Sequence, residues 1–85
     1  MTWTLIITSP ADRAMRDIPR ADVEHINSAF EALRSDPYDG DIQFLRGTDR
    51  TLRRRVGSWR ILFKVHPKDR LVIILDVIRR SSTTY

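Results

Sequence analysis

Four arginines, Arg53, Arg55, Arg60 and Arg79, carry the side chains in this sequence best suited to chemistry on an anion. A guanidinium is planar, stays charged at any working pH and presents paired donors that match phosphate or carboxylate oxygens. What these side chains can do depends on whether one surface gathers them. The stretch Leu52 to Val65, LRRRVGSWRILFKV, is the place to ask. Two runs rich in β-branched, aromatic and arginine residues flank Gly57-Ser58, and a Gly-Ser pair between such runs predicts a β-hairpin with a two-residue turn. Val56 then opposes Trp59, Arg55 opposes Arg60 and Arg53 opposes Leu62, so Arg53, Arg55 and Arg60 share one side. Leu52, Val56, Trp59, Ile61 and Phe63 take the other, a core face on which Arg54 is the misfit.

Like charges opposed across a ladder cost stability. Arg55 facing Arg60 therefore invites either an anionic ligand or a solvated face whose neighbours neutralise the cations, and the pattern leaves both open. Pro67-Lys68-Asp69-Arg70 supplies a second turn, followed by the almost continuous apolar run Leu71 to Ile78 with Asp76 as its polar break. If Lys68 and Asp69 form a two-residue loop, Arg60 opposes Val77 and alternation brings Arg79 to the side of Arg53, Arg55 and Arg60. A slip of one residue would send Arg79 to the opposite face.

Other elements must position this hairpin. Thr2 to Thr8 alternates like a strand buried mainly on one face. Ser9 is placed as the N-cap of a helix, with Pro10 at its first position and Asp12 completing a capping box. Ala11, Ala14, Met15 and Ile18 follow at helical spacing, and Pro19 ends or kinks that helix. Val23, Ile26, Phe30 and Leu33 mark the apolar stripe of a second helix, which Ser35-Asp36-Pro37 stops. Tyr38 to Asp41 is turn-like, Ile42 to Leu45 is a short strand or an extended cover, and Arg46 to Arg50 is another turn. His25, beside the helical stripe, and His66, at a turn tip, have no partners in sequence that make them catalytic. The chain closes on a polar segment ending in Tyr85. The class is α+β: two N-terminal helices on a twisted, mainly antiparallel sheet of about four strands.

Eighty-five residues make one domain, 1–85. With 41% hydrophobic and 31% charged residues and no cysteine, the composition is that of a soluble globular chain without disulfides or thiolate metal sites. No apolar run approaches the roughly 20 residues of a spanning helix, so a cytoplasmic protein without a membrane partner is expected. The net charge of +4 is unevenly spread: residues 1–42 hold four arginines against eight acids, and residues 43–85 hold eleven Lys/Arg against three. A basic half of this kind favours a polyanionic partner.

The order of elements and the motifs resemble the RelE/ParE superfamily of small toxins from bacterial and archaeal toxin–antitoxin operons. The resemblance is carried by the opening strand, two helices ending at Asp36-Pro37, the Leu45-Arg46-Gly47 segment, the RxRVGxWR stretch from Arg53 to Arg60, and Arg79 followed six residues later by Tyr85. It covers nearly the whole chain, and RxRVGxWR is its most specific part. Arg54 stands where relatives usually carry an apolar residue, and Thr51 where some carry lysine.

That resemblance implies a RelE fold like a compact microbial ribonuclease. It also implies a type II toxin held by a cognate antitoxin in a hetero-oligomer, acting on messenger RNA in the ribosomal A site, with 16S ribosomal RNA contacts and no metal or other cofactor. Cleavage would follow 2′-hydroxyl attack on the neighbouring phosphate, whose developing negative charge fixed cations stabilise. By the family motif, Arg60 and Arg79 would hold the scissile phosphate and Arg53 and Arg55 the RNA backbone. Tyr85 would act as a base, if nearby arginines favour its deprotonation, or stack on a base of the messenger. The alternatives are a ParE-like toxin that binds DNA gyrase without cleaving RNA, and a non-catalytic RNA-binding module.

Overall fold

Alternation in the four C-terminal segments and 3.6-residue spacing in the two N-terminal ones give a helical layer on one face of a sheet. The computed structural model describes residues 2–44, 47 and 50–79. In chain order the main elements are β1 (Thr4–Ile7), α1 (Ser9–Arg16), α2 (Arg20–Ser35), β2 (Ile42–Phe44), β3 (Leu52–Val56), β4 (Trp59–His66) and β5 (Leu71–Arg79). The strands form one sheet in the order β1-β5-β4-β3-β2, in which β1 runs parallel to β5 and the other neighbours are antiparallel. The sheet has five strands rather than about four because Ile42–Phe44 pairs with β3 as an edge strand.

Ala11, Ile18, Ile26, Ala29, Phe30 and Leu33 pack from the helical layer onto Leu52, Ile61, Phe63, Val72, Ile74 and Val77, all buried. Among the described residues, the helices cover only this face. Leu62, Ile73 and Ile78 are half-buried on the other side, and Ile6 is 41% exposed there. Pro19 separates the helices as expected: α1 ends at Arg16, and Pro19 is the N-cap of α2. The expected capping box is absent. Thr8, not Ser9, is the N-cap of α1, with Ser9 already helical, and Asp12 pairs with Arg16 at 2.9 Å. The Thr8 hydroxyl is directed instead to β5, donating to the carbonyl oxygens of Ile74 at 2.7 Å and Leu75 at 3.0 Å.

Candidate functional site

The β3–β4 hairpin forms in the register read from its sequence. Gly57 takes φ +56, which a glycine reaches without strain, and Val56 pairs with Trp59, Arg55 with Arg60 and Arg53 with Leu62. Arg53, Arg55 and Arg60 therefore lie on the face that the helices leave open. Arg54 points to the helical side, as its misfit predicts, and escapes burial at the β2 edge. Its Nη1 donates to the Asp39 carbonyl at 2.9 Å beside Gly40.

Neighbours balance part of this charge. Arg53 is only 7% exposed; its Nη1 donates to Asp41 Oδ1 at 3.3 Å and its Nη2 to Gln43 Oε1 at 2.8 Å. Asp41 also lies 3.8 Å from Arg55 Nε through its other oxygen. One carboxylate thus bridges two arginines, which sequence reading missed because Asp41 lies in a turn twelve residues before Arg53. Arg55 is exposed and Arg60 half-buried, so Arg55 is the more open of the two. The reading of a cationic face neutralised by its neighbours holds for Arg53 and only partly for Arg55.

Arg79 does not join them. From His66↔Leu71 to Phe63↔Ile74 the β4–β5 ladder follows the register expected from the turn, but Leu62 then pairs with Asp76, Arg60 with Ile78 and Trp59 with Arg79. Leu75 is an extra residue in β5, a β-bulge, and past it every partner moves by one position. The expected pairing of Arg60 with Val77 is replaced by Ile61↔Val77, and Arg79 falls on the Trp59 side. Its guanidinium lies 4.8 Å from the Trp59 ring centroid, and the Trp59 indole N–H donates to Asp22 Oδ2 of α2 at 3.1 Å. The four-arginine cradle is therefore a three-arginine patch, with the fourth arginine stacked across the sheet. Tyr85 and the Leu45-Arg46 part of the Leu-x-Gly motif lie outside the described residues.

The same bulge brings Asp76 to the arginine face, in one row across the sheet with Leu62, Arg53 and Gln43. In the sequence Asp76 stood out only as the break in an apolar run. Its Oδ1 accepts the Val77 N–H at 2.8 Å, which fixes the carboxylate. Among the described residues no helix is long and apolar enough to cross a membrane.

Comparison with known proteins converges on one family. The profile described as ParE toxin of type II toxin-antitoxin system, parDE, matches residues 5–83. A Methanocaldococcus jannaschii protein named as toxin RelE1 is 30% identical over 70 residues, covering 79% of this chain and 78% of its own. The toxin–antitoxin complex RelBE2 of Mycobacterium tuberculosis contains a chain that superposes with a TM-score of 0.83 at 26% identity, over 94% of this chain and all of that one (100%). A chain of the archaeal RelE–RelB complex of Pyrococcus horikoshii OT3 superposes with a TM-score of 0.82 at 25% identity, over 98% of this chain and 100% of that one. The order of elements, the hairpin with its arginines and these matches together make the chain a member of the RelE/ParE superfamily, a toxin of the type II toxin–antitoxin kind.

Proposed function

We propose that this toxin is a ribosome-dependent endoribonuclease, cutting messenger RNA in the A site by 2′-hydroxyl attack on the neighbouring phosphate. The observation that carries the reading is the opposed pair Arg55 and Arg60 on the open sheet face, with Arg53 beside them. Two guanidinium groups opposed across the ladder present paired donors to one anion, so the arrangement suits a bound phosphate. Arg60 and Arg55 hold the scissile and adjoining phosphates; Arg53 is linked to Arg55 through Asp41 and adds to the field. Arg79, expected beside Arg60 on the phosphate, is across the sheet, so the proposed cleavage does not rest on a clasp between those two. Tyr85 keeps its proposed place as base or stacking partner.

The cognate partner is an antitoxin, as in the RelBE2 and archaeal RelE–RelB complexes. A segment with acidic and apolar side chains suits a face that combines Arg55 and Arg60 with Leu62, Ile73 and Ile78.

A second reading has its own support. Separation of Arg79 from Arg60 removes a cation that cleavage would use, and a toxin that binds gyrase without cutting RNA needs no such pair. Expression of the toxin in a translating extract, with messenger 5′ ends mapped by primer extension, tests both. Cuts within codons, lost in Arg60→Ala, are expected. Intact messengers with loss of DNA supercoiling would overturn the nuclease reading in favour of gyrase.

A further inference from the structure

We propose that Asp76, and not Tyr85, is the general base of the cleavage reaction, an inference that rests on the nuclease reading of the arginine face and leaves Tyr85 the stacking role. Attack by the 2′-hydroxyl needs a proton acceptor beside the phosphate, and an arginine, protonated at any working pH, cannot serve. Of the three acids in the basic half of the chain, Asp76 alone is in β5, and the bulge at Leu75 brings it to the open face. Bulges re-aim side chains, and this one is anchored from outside the strand by the Thr8 hydroxyl on the carbonyl oxygens of Ile74 and Leu75. A register continued from the turn without the bulge would direct Asp76 to the helical side, opposite buried Ile61, where a carboxylate is costly.

The placement fits the chemistry. Asp76 is opposite Leu62 and diagonal to Arg60, a spacing of about 7–8 Å between backbones that long side chains span. A phosphate held by Arg60 and Arg55 would put the 2′-hydroxyl of the preceding ribose between those guanidinium groups and the carboxylate. Oδ1 is occupied by the Val77 N–H, so Oδ2 takes the proton. The 2′-oxygen then forms its bond to phosphorus while the P–O5′ bond breaks and its electron pair leaves with the 5′-oxygen. That oxygen takes a proton from solvent, giving a 2′,3′-cyclic phosphate and a 5′-hydroxyl, and Asp76 returns its proton to solvent.

Among the described residues, the charged groups that face Asp76 are Arg60 and, further along β4, Lys64, with Arg53 and Arg55 beyond on β3 and Asp41 between those two. On the other side, β1 brings only Thr4 and Ile6 to this face.

The test is single-turnover cleavage of messenger on programmed ribosomes, measured from mildly acidic to mildly alkaline pH, for the wild type, Asp76→Asn and Asp76→Glu. Asp76→Asn is expected to slow cleavage at least about 100-fold and to abolish the fall in rate on the acid side. Asp76→Glu is expected to keep that fall, at an intermediate rate. Asp76→Asn within about threefold of wild type with the same pH profile would overturn the proposal while leaving the nuclease reading standing. Wild-type toxin that cuts nothing on the ribosome would overturn both. If Asp76→Asn does not fold, as judged by its melting curve, Asp76→Glu decides alone: an unchanged rate and profile would overturn the assignment.

Discussion

Thr8 ties the start of α1 to the bulge in β5, its hydroxyl shared between the carbonyl oxygens of Ile74 and Leu75 at 2.7 and 3.0 Å. The Thr8 N–H also donates to Ile74 at 3.1 Å. A bulge leaves one residue of the ladder without its regular partner, and here a threonine from another element supplies a donor. Thr8→Val keeps the shape and removes the donor, so the protein is expected to lose about 1–2 kcal/mol in denaturant unfolding. Where the bulge relaxes, Asp76 and Arg79 lose their places, so messenger cleavage should fall more than stability alone accounts for. Thr8→Ser, which keeps the hydroxyl, should restore both. Equal loss in Thr8→Ser and Thr8→Val would show that packing, not the bond, is what matters.

How far the sequence could be read follows from what controls each element. Gly57-Ser58 fixed the β3–β4 register, because a two-residue turn leaves no freedom in the pairing of Val56 with Trp59. The stripes of α2 and the break at Pro19 were equally legible. The β4–β5 ladder was legible from its turn as far as Phe63↔Ile74 and not beyond, since Leu75 continues an apolar run and nothing local marks it as the extra residue. Its anchor, Thr8, lies 67 positions away in the chain. For that reason Arg79 was expected on the wrong face, while Arg53, Arg55 and Arg60 were not. Asp41 was hidden for a similar reason, its partnership with Arg53 being made by the return of β2 alongside β3.

Arg53 and Arg55 should separate by experiment. Arg53 is buried and bonded to Asp41 and Gln43, so Arg53→Ala removes one partner of a bonded pair and is expected to destabilise the fold by about 2 kcal/mol. Arg55 is exposed, and its 3.8 Å contact with Asp41 is screened by solvent, so Arg55→Ala should change stability by less than about 0.5 kcal/mol. Binding to a single-stranded RNA should instead weaken in Arg55→Ala, with a shallower dependence on salt as one phosphate contact disappears. Unfolding curves and salt titrations of the two variants decide the assignment, which fails if Arg55→Ala is the less stable protein.

Gly40 makes room for Arg54. With φ +103, and with Arg54 Nη1 2.7 Å from where a Cβ would sit, it lets the guanidinium cross the turn to the Asp39 carbonyl. Gly40→Ala adds backbone strain and displaces that side chain, so a loss of about 1–3 kcal/mol is expected. Replacing Arg54 with Leu in the same protein removes the clash but not the strain, and should recover only part of the loss. Full recovery in a thermal melt would show that the backbone at Gly40 carries no strain.

Arg79 offers the sharpest check on the open face. Its guanidinium stacks on Trp59, an exposed contact of about 0.5–1 kcal/mol, and Asp22 holds that indole from α2. Arg79→Ala should therefore lower stability slightly and leave cleavage within a few-fold of wild type. Should Arg79→Ala instead abolish messenger cleavage with its melting curve little changed, the side chain now stacked on Trp59 must cross to the substrate, and the bulge would not be what keeps it from the open face.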